Sequence, residues 1–195
     1  MYKTFDSKIK DIYSINEKII TKQLLYHKNY ATIHIRYGDK LFLAIKKNNC
    51  DKYLKFPIFT PEYYYEQIIN IKKLNLPIFI LTDSPKIINH FLIKKYNIQK
   101  DVVLKNFSFI DSFYLMLKSN LSVLSQSTFS FSSYLLSNNN NKKYIFCSIP
   151  EYSPKTFDYL LSNEWTIHNN KKYILNFNQK LVKEMCNYIS SSNDG

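Results

Sequence analysis

The sequence predicts an α/β domain, a Rossmann-like parallel sheet with helices on both faces. Three observations carry that expectation. Short β-branched runs such as "YATIHI", "PIFILTD" and "LSVL" recur along the 195 residues, each bounded by turn-forming or polar residues. Between them lie segments with apolar residues at helical spacing, opened by Ser, Thr or Pro. Directly after several strands sit polar clusters, where ligands bind in such folds.

Taken in order, Ser7–Tyr26 reads as a helix, with Ile9, Ile12, Tyr13, Ile15, Ile19, Ile20 and Leu24 on one side and Asp6 or Ser7 as cap. Residues 1–29 are expected to be an N-terminal helical segment, and 30–195 the Rossmann-like domain. Tyr30–Ile35 reads as a buried strand. The next helix begins with Thr60 as cap, Pro61 at its first position and Glu62 in the first turn. Pro77–Asp83 is a strand, after which Ser84 caps and Pro85 opens another helix. Asp101–Leu104 is a short strand, Ser108–Ser119 a helix, and Leu121–Leu124 a strand. Ser127 or Thr128 then caps a helix reaching Ser137, and Lys142–Cys147 is a further strand. Ser137–Asn141 reads as a loop, Tyr173–Phe177 as a strand, and Asn178–Ile189 as a closing helix.

At 45% hydrophobic and 16% aromatic residues the chain can bury a large core, which argues against wholesale disorder. Its net charge of +12 would ordinarily suggest nucleic acid or an anionic surface. Among 27 cationic side chains, however, Arg36 is the only arginine, and the excess of Lys, Asn, Ile and Tyr suggests an AT-rich coding bias. No nucleic-acid recognition module is evident. A basic nucleic-acid-binding protein therefore stays as an alternative of a different class. Cys50, Cys147 and Cys186 lack metal or disulfide spacing and fit a reducing compartment. No stretch reads as a signal peptide or a membrane span, so a cytoplasmic protein is expected. The run Tyr63–Tyr65 suits a helix core and rim.

Against this background "HIRYGD" is distinctive. It holds the sole arginine and, two residues later, Gly38, the only glycine besides Gly195. A guanidinium offers phosphate a bidentate fork that an ammonium cannot copy. Gly38 permits a sharp turn with positive φ just beyond the strand. The alternative is a plain Arg36–Asp39 ion pair beside a turn. His34 lies two residues before Arg36, on the same strand face; it is either a ligand contact or a satisfied core residue. Ser127 and Thr128 stand at a helix N-terminus, suited to a diphosphate or simply to capping. Asp111 is either an acceptor for a base edge or a helix-start cap, and Asp83, at a strand end, is a further candidate. No Gly-rich phosphate loop and no metal-ligand spacing is present, so no metal is expected.

"IHIRYGDK", "TPEYYYEQI", "IFILTDSPKII" and "SFIDSFYLMLKSNLSVLSQSTFSFSSYLL", in that order, resemble the donor-binding half of the α-1,2-fucosyltransferases, glycosyltransferase family eleven. "LLSNEW" around Trp165 is similar to that family's closing segment. The family pattern has His-x-Arg-Arg-Gly-Asp, Ser-Asp-Asp, Asp-x3-Met and Asn-Ser-Thr-Phe-Ser-Trp-Trp. Here Tyr37 replaces the second Arg, Ser84 the second Asp, Gln126 the Asn, and Phe131 and Ser132 the two Trp. The resemblance implies the C-terminal donor-binding domain of a GT-B glycosyltransferase.

It further implies an inverting, metal-independent transfer of fucose from GDP-fucose to a sugar hydroxyl, with no cofactor beyond the donor. Arg36 would stabilise the departing diphosphate, and Asp39 would position Arg36 or act as base. His34, Gly38, Asp83, Asp111, Ser127 and Thr128 would complete the donor site. Residues 1–29 would be a reduced remnant of the acceptor-side domain, or a cap. The acceptor half would then come from a partner protein or a longer parent chain, and a non-catalytic sugar-nucleotide module or partner subunit is the runner-up.

Overall fold

The protein is described by a computed structural model covering residues 29–46, 58–137, 143–146, 165–167, 173–175 and 178–191. Within these, strands β1 (Ala31–Ile35), β2 (Ile78–Thr82), β3 (Val102–Leu104), β4 (Leu121–Leu124), β5 (Lys143–Phe146) and β6 (Trp165–Ile167) form one six-stranded sheet. The order is β3-β2-β1-β4-β5-β6 and every pairing is parallel. This is the doubly wound arrangement, in which the winding reverses between β1 and β4. The expected α/β fold is therefore present.

Alternation along the strands explains the two layers. In β1, Ala31, Ile33 and Ile35 join one apolar cluster with Ile78, Ile80, Leu121 and Val123. On that side pack α2 (Pro61–Lys72), α3 (Pro85–Ile88, continuing as a π-helical segment Asn89–Lys94) and the closing α6 (Gln179–Ser191). Phe79, Leu81 and Leu124 point to the other side, where Leu115 and Met116 of α4 (Phe109–Lys118) cover them. Between α4 and β5 lies α5 (Thr128–Leu136), which follows β4. Strands buried on both faces need nearly continuous apolar runs, and β1, β2 and β4 supply them.

Helix starts follow local chemistry. The Thr60 hydroxyl accepts from Tyr63 N at 3.4 Å ahead of Pro61, and Ser108 and Ser127 accept from Asp111 N and Phe129 N. Tyr63 and Tyr64 are core residues.

Four readings change. Ser84 occupies the cap position of α3, but its side chain makes no capping bond. Instead the hydroxyl donates to Asp83 Oδ1 at 3.1 Å and accepts from Gly38 N at 2.9 Å. Tyr173–Phe177 is not a strand in its described part. Ile174 forms a single antiparallel bridge with Phe59, closed by Thr60 N to Tyr173 O and Leu175 N to Ile58 O, both 2.7 Å. Helix α1 (Gly38–Lys46) and strand β6 were not expected. The Ser7–Tyr26 helix, Cys50 and Cys147 lie outside the described residues; Cys186 is buried.

Tyr37 stands where the family pattern has a second Arg. It is fully buried, and its hydroxyl donates to the Phe59 carbonyl at 2.8 Å. A guanidinium there would be a charge in an apolar core. Replacing Tyr37 with Phe strands that carbonyl, and urea denaturation is expected to show a loss of about 1–2 kcal/mol. An unchanged midpoint would mean that the hydroxyl contributes nothing.

Candidate functional site

The switch point places the ends of β1 and β4 side by side, and the ends of β1 and β2 are joined across the same rim. A cleft of about 610 Å³ opens there. Its lining includes His34, Arg36, Asp83, Gln126, Ser127 and Thr128.

Arg36 follows β1 directly. Its Nη1 donates to Asp83 Oδ2, and its Nη2 to Asp39 Oδ1 at 2.8 Å. Asp83 Oδ1 accepts from Tyr37 N and from the Ser84 hydroxyl, each at 3.1 Å. Two of the five guanidinium N–H donors are thus committed to carboxylates, which fix the plane of the fork. Gly38 has φ of +24°, and a Cβ there would come within 3.0 Å of the Asp83 carboxyl carbon and 3.5 Å of Arg36 Nη1. Only a glycine fits beneath this ion pair.

His34 ends its strand face inside the molecule, 6% exposed. Its Nδ1 meets the hydroxyls of Ser125, at 2.8 Å, and Ser130, and these two lie 3.2 Å apart. Both hydroxyl protons find an acceptor within the trio in the tautomer that leaves Nδ1 bare and carries the ring proton on Nε2. Burial first, and the Arg36 charge second, push the imidazole down to about 3. The ring is therefore neutral at pH 7 and presents no second cation beside Arg36.

Ser127 and Thr128 begin α5, and both line the cleft. The Ser127 hydroxyl accepts from Phe129 N at 3.2 Å, which is the capping reading of the sequence. Asp111 is placed otherwise. Its carboxylate accepts from the Ser108 hydroxyl at 2.8 Å while its N–H donates back at 3.1 Å, a helix-start cap, and it is not among the cleft-lining residues. The structure thus brings together His34, Arg36, Gly38, Asp39, Asp83, Ser127 and Thr128, and sets Asp111 apart.

Gln126, read in the sequence as a substitute for the Asn of the family pattern, was not named there as a donor-site residue. It is 6% exposed, lines the cleft, and neither its Nε2 nor its Oε1 has a hydrogen-bond partner. A buried carboxamide with both atoms unpaired costs stability. The available signal was its position between β4 and α5, where it replaces the Asn of the family pattern. Among the described residues no group of three or more His, Cys, Asp or Glu could hold a metal ion, and no helix is long and apolar enough to cross a membrane.

No family model and no curated relative matches the sequence. A solved structure of NodZ α-1,6-fucosyltransferase soaked with GDP-fucose is similar, with 13% identity and a TM-score of 0.38 over 76% of this chain. The chain spans 44% of the length of that protein.

Two outcomes test this geometry. In the unfolded chain His34 takes a proton near pH 6.5, in the folded one only near pH 3. Between those values the unfolded state binds more protons. The contribution of His34 is therefore complete above pH 6.5 and declines as pH falls towards 3, by up to about 1.4 kcal/mol per pH unit. Urea titrations from pH 7 to pH 4 should lose about one proton of slope in His34→Gln; identical slopes would refute a buried neutral imidazole. Gln126→Met removes two unpaired polar atoms at similar volume. It is expected to raise stability by about 1 kcal/mol or more in buffer alone, whereas a loss would show that the amide is already satisfied.

Proposed function

We propose that the cleft binds a sugar nucleotide and that the protein is a glycosyltransferase of fucosyltransferase type, taking GDP-fucose as donor and acting in the α-1,2 manner its motifs resemble. The observation that carries this reading is the unpaired, buried amide of Gln126, a residue beside the start of α5 that lines the same cleft as Arg36. Polar atoms kept unpaired in a folded interior point to a partner that arrives from outside. Helix N-terminal amides and a guanidinium in one cleft suit an anion, and a diphosphate is the anion that the motif order implies.

In the proposed reaction the acceptor hydroxyl oxygen attacks the anomeric carbon from the face opposite the diphosphate. The bond from that carbon to the β-phosphate oxygen breaks, its electron pair stays on the phosphate, and the configuration inverts. Arg36 counters the charge that grows there. Asp39 and Asp83 orient the guanidinium by holding it from two directions. The acceptor proton leaves to a base, the role Asp39 would fill if it released Arg36.

A second reading, a sugar-nucleotide-binding module without transfer of its own, is favoured by one observation. Both carboxylates at this rim, Asp39 and Asp83, are engaged by Arg36.

Calorimetry with GDP, at low and high salt, tests the donor site. Binding is expected to persist at high salt, and Arg36→Lys to weaken it by about 1.5–3 kcal/mol, the range of a charged hydrogen bond. Binding that vanishes steeply with salt would instead mark a diffuse polyanion surface. Release of GDP from GDP-fucose that depends on an added sugar separates transferase from module.

A further inference from the structure

The base end of the cleft, given the sugar-nucleotide reading above, has its own chemistry. Phe109, the first residue of α4, is 72% exposed, although an apolar ring of that size is ordinarily covered. It is not loose. Its ring leans on Phe129 at 4.4 Å, and Phe129 is backed by Phe113 at 5.4 Å and by His34 at 5.3 Å. An aromatic line therefore runs from the floor of the cleft at His34 to its rim at Phe109. Phe107, in the loop before α4, packs edge-on to Phe79 at 6.2 Å and lines the same cleft.

The polar groups on this side are Asn106 and Ser112, an amide and a hydroxyl, each able to donate or accept. The carboxylate best suited to the paired donors of a guanine edge, Asp111, accepts from Ser108 and is not among the cleft-lining residues. An exposed, braced ring beside adaptable polar groups recognises a flat π surface rather than one hydrogen-bonding pattern, because every base offers a π face.

We propose that this wall is a nucleobase platform, with Phe109 as the stacking residue, and that it selects purine nucleoside diphosphates by stacking area rather than guanine by its edge. Adenine and guanine present the same two-ring surface, while a pyrimidine covers only part of it. The sugar-nucleotide site then accepts GDP and ADP alike at its base end.

The test is calorimetry on the full 195-residue chain with GDP, ADP and UDP, repeated with Phe109→Ala and Phe109→Tyr. Because Phe109 is exposed, both variants are expected to fold, with circular dichroism as the check. GDP and ADP should bind within about threefold of each other, and UDP about tenfold more weakly. Phe109→Ala should weaken both purines about tenfold or more, and Phe109→Tyr should leave them nearly unchanged. GDP binding without ADP binding would overturn the stacking proposal while leaving the donor-site reading intact. So would a Phe109→Ala variant that binds GDP like the parent. Failure of all three nucleotides would overturn the donor-site reading, and this proposal with it.

Discussion

The ion pair between Arg36 and Asp83 ties the end of β1 to the end of β2, and the rest of the rim is arranged around it. Asp39 grips the same guanidinium from the first turn of α1. The other oxygen of Asp83 accepts from Tyr37 N and from Ser84, whose hydroxyl in turn takes the Gly38 N–H. A single charged group thus sets where α1 starts, why Ser84 abandons its capping role, and why position 38 tolerates no side chain. The two ionic contacts are partly exposed, Arg36 itself by 37%, so their value lies in orientation more than in stability.

Opposite this ionic cluster the rim is polar but uncharged. His34 is neutral and hydrogen-bonded to two serines, and Gln126 is buried with its amide unmatched. Local rules for a stable core are broken at one position only a few residues from the sheet's reversal point. Proteins retain such costs where binding compensates them. Stability thus loses at Gln126, whose amide is unmatched, and gains at Tyr37, whose buried hydroxyl is matched by the Phe59 carbonyl.

Much of the sheet was legible because parallel strands demand uninterrupted apolar runs, and "ATIHI", "IFILT" and "LSVL" have no competing period. The caps Thr60 and Ser127 were legible for a local reason, a hydroxyl ahead of a helical pattern. Ser84 followed the same pattern and behaved differently, because its partners Asp83 and Gly38 are brought together only by the fold. Helix α1 was hidden by Gly38, which reads as a turn; here the glycine, with its positive φ, is the first residue of a helix rather than the end of one. The gathering of Arg36, Asp83 and Ser127 at one rim followed from strand ends alone. The pairing of Asp111 with Ser108, and the isolation of Gln126, depend on side-chain positions that no spacing rule encodes.

The sole arginine makes the central interaction directly observable. Arginine-selective nitrogen-15 labelling of the protein gives guanidinium resonances from Arg36 alone. If two carboxylates clamp the fork and a diphosphate meets its remaining donors, the free protein should show two distinct, slowly exchanging Nη signals that shift on addition of GDP. One rotationally averaged Nη signal, unmoved by saturating GDP, would contradict the account.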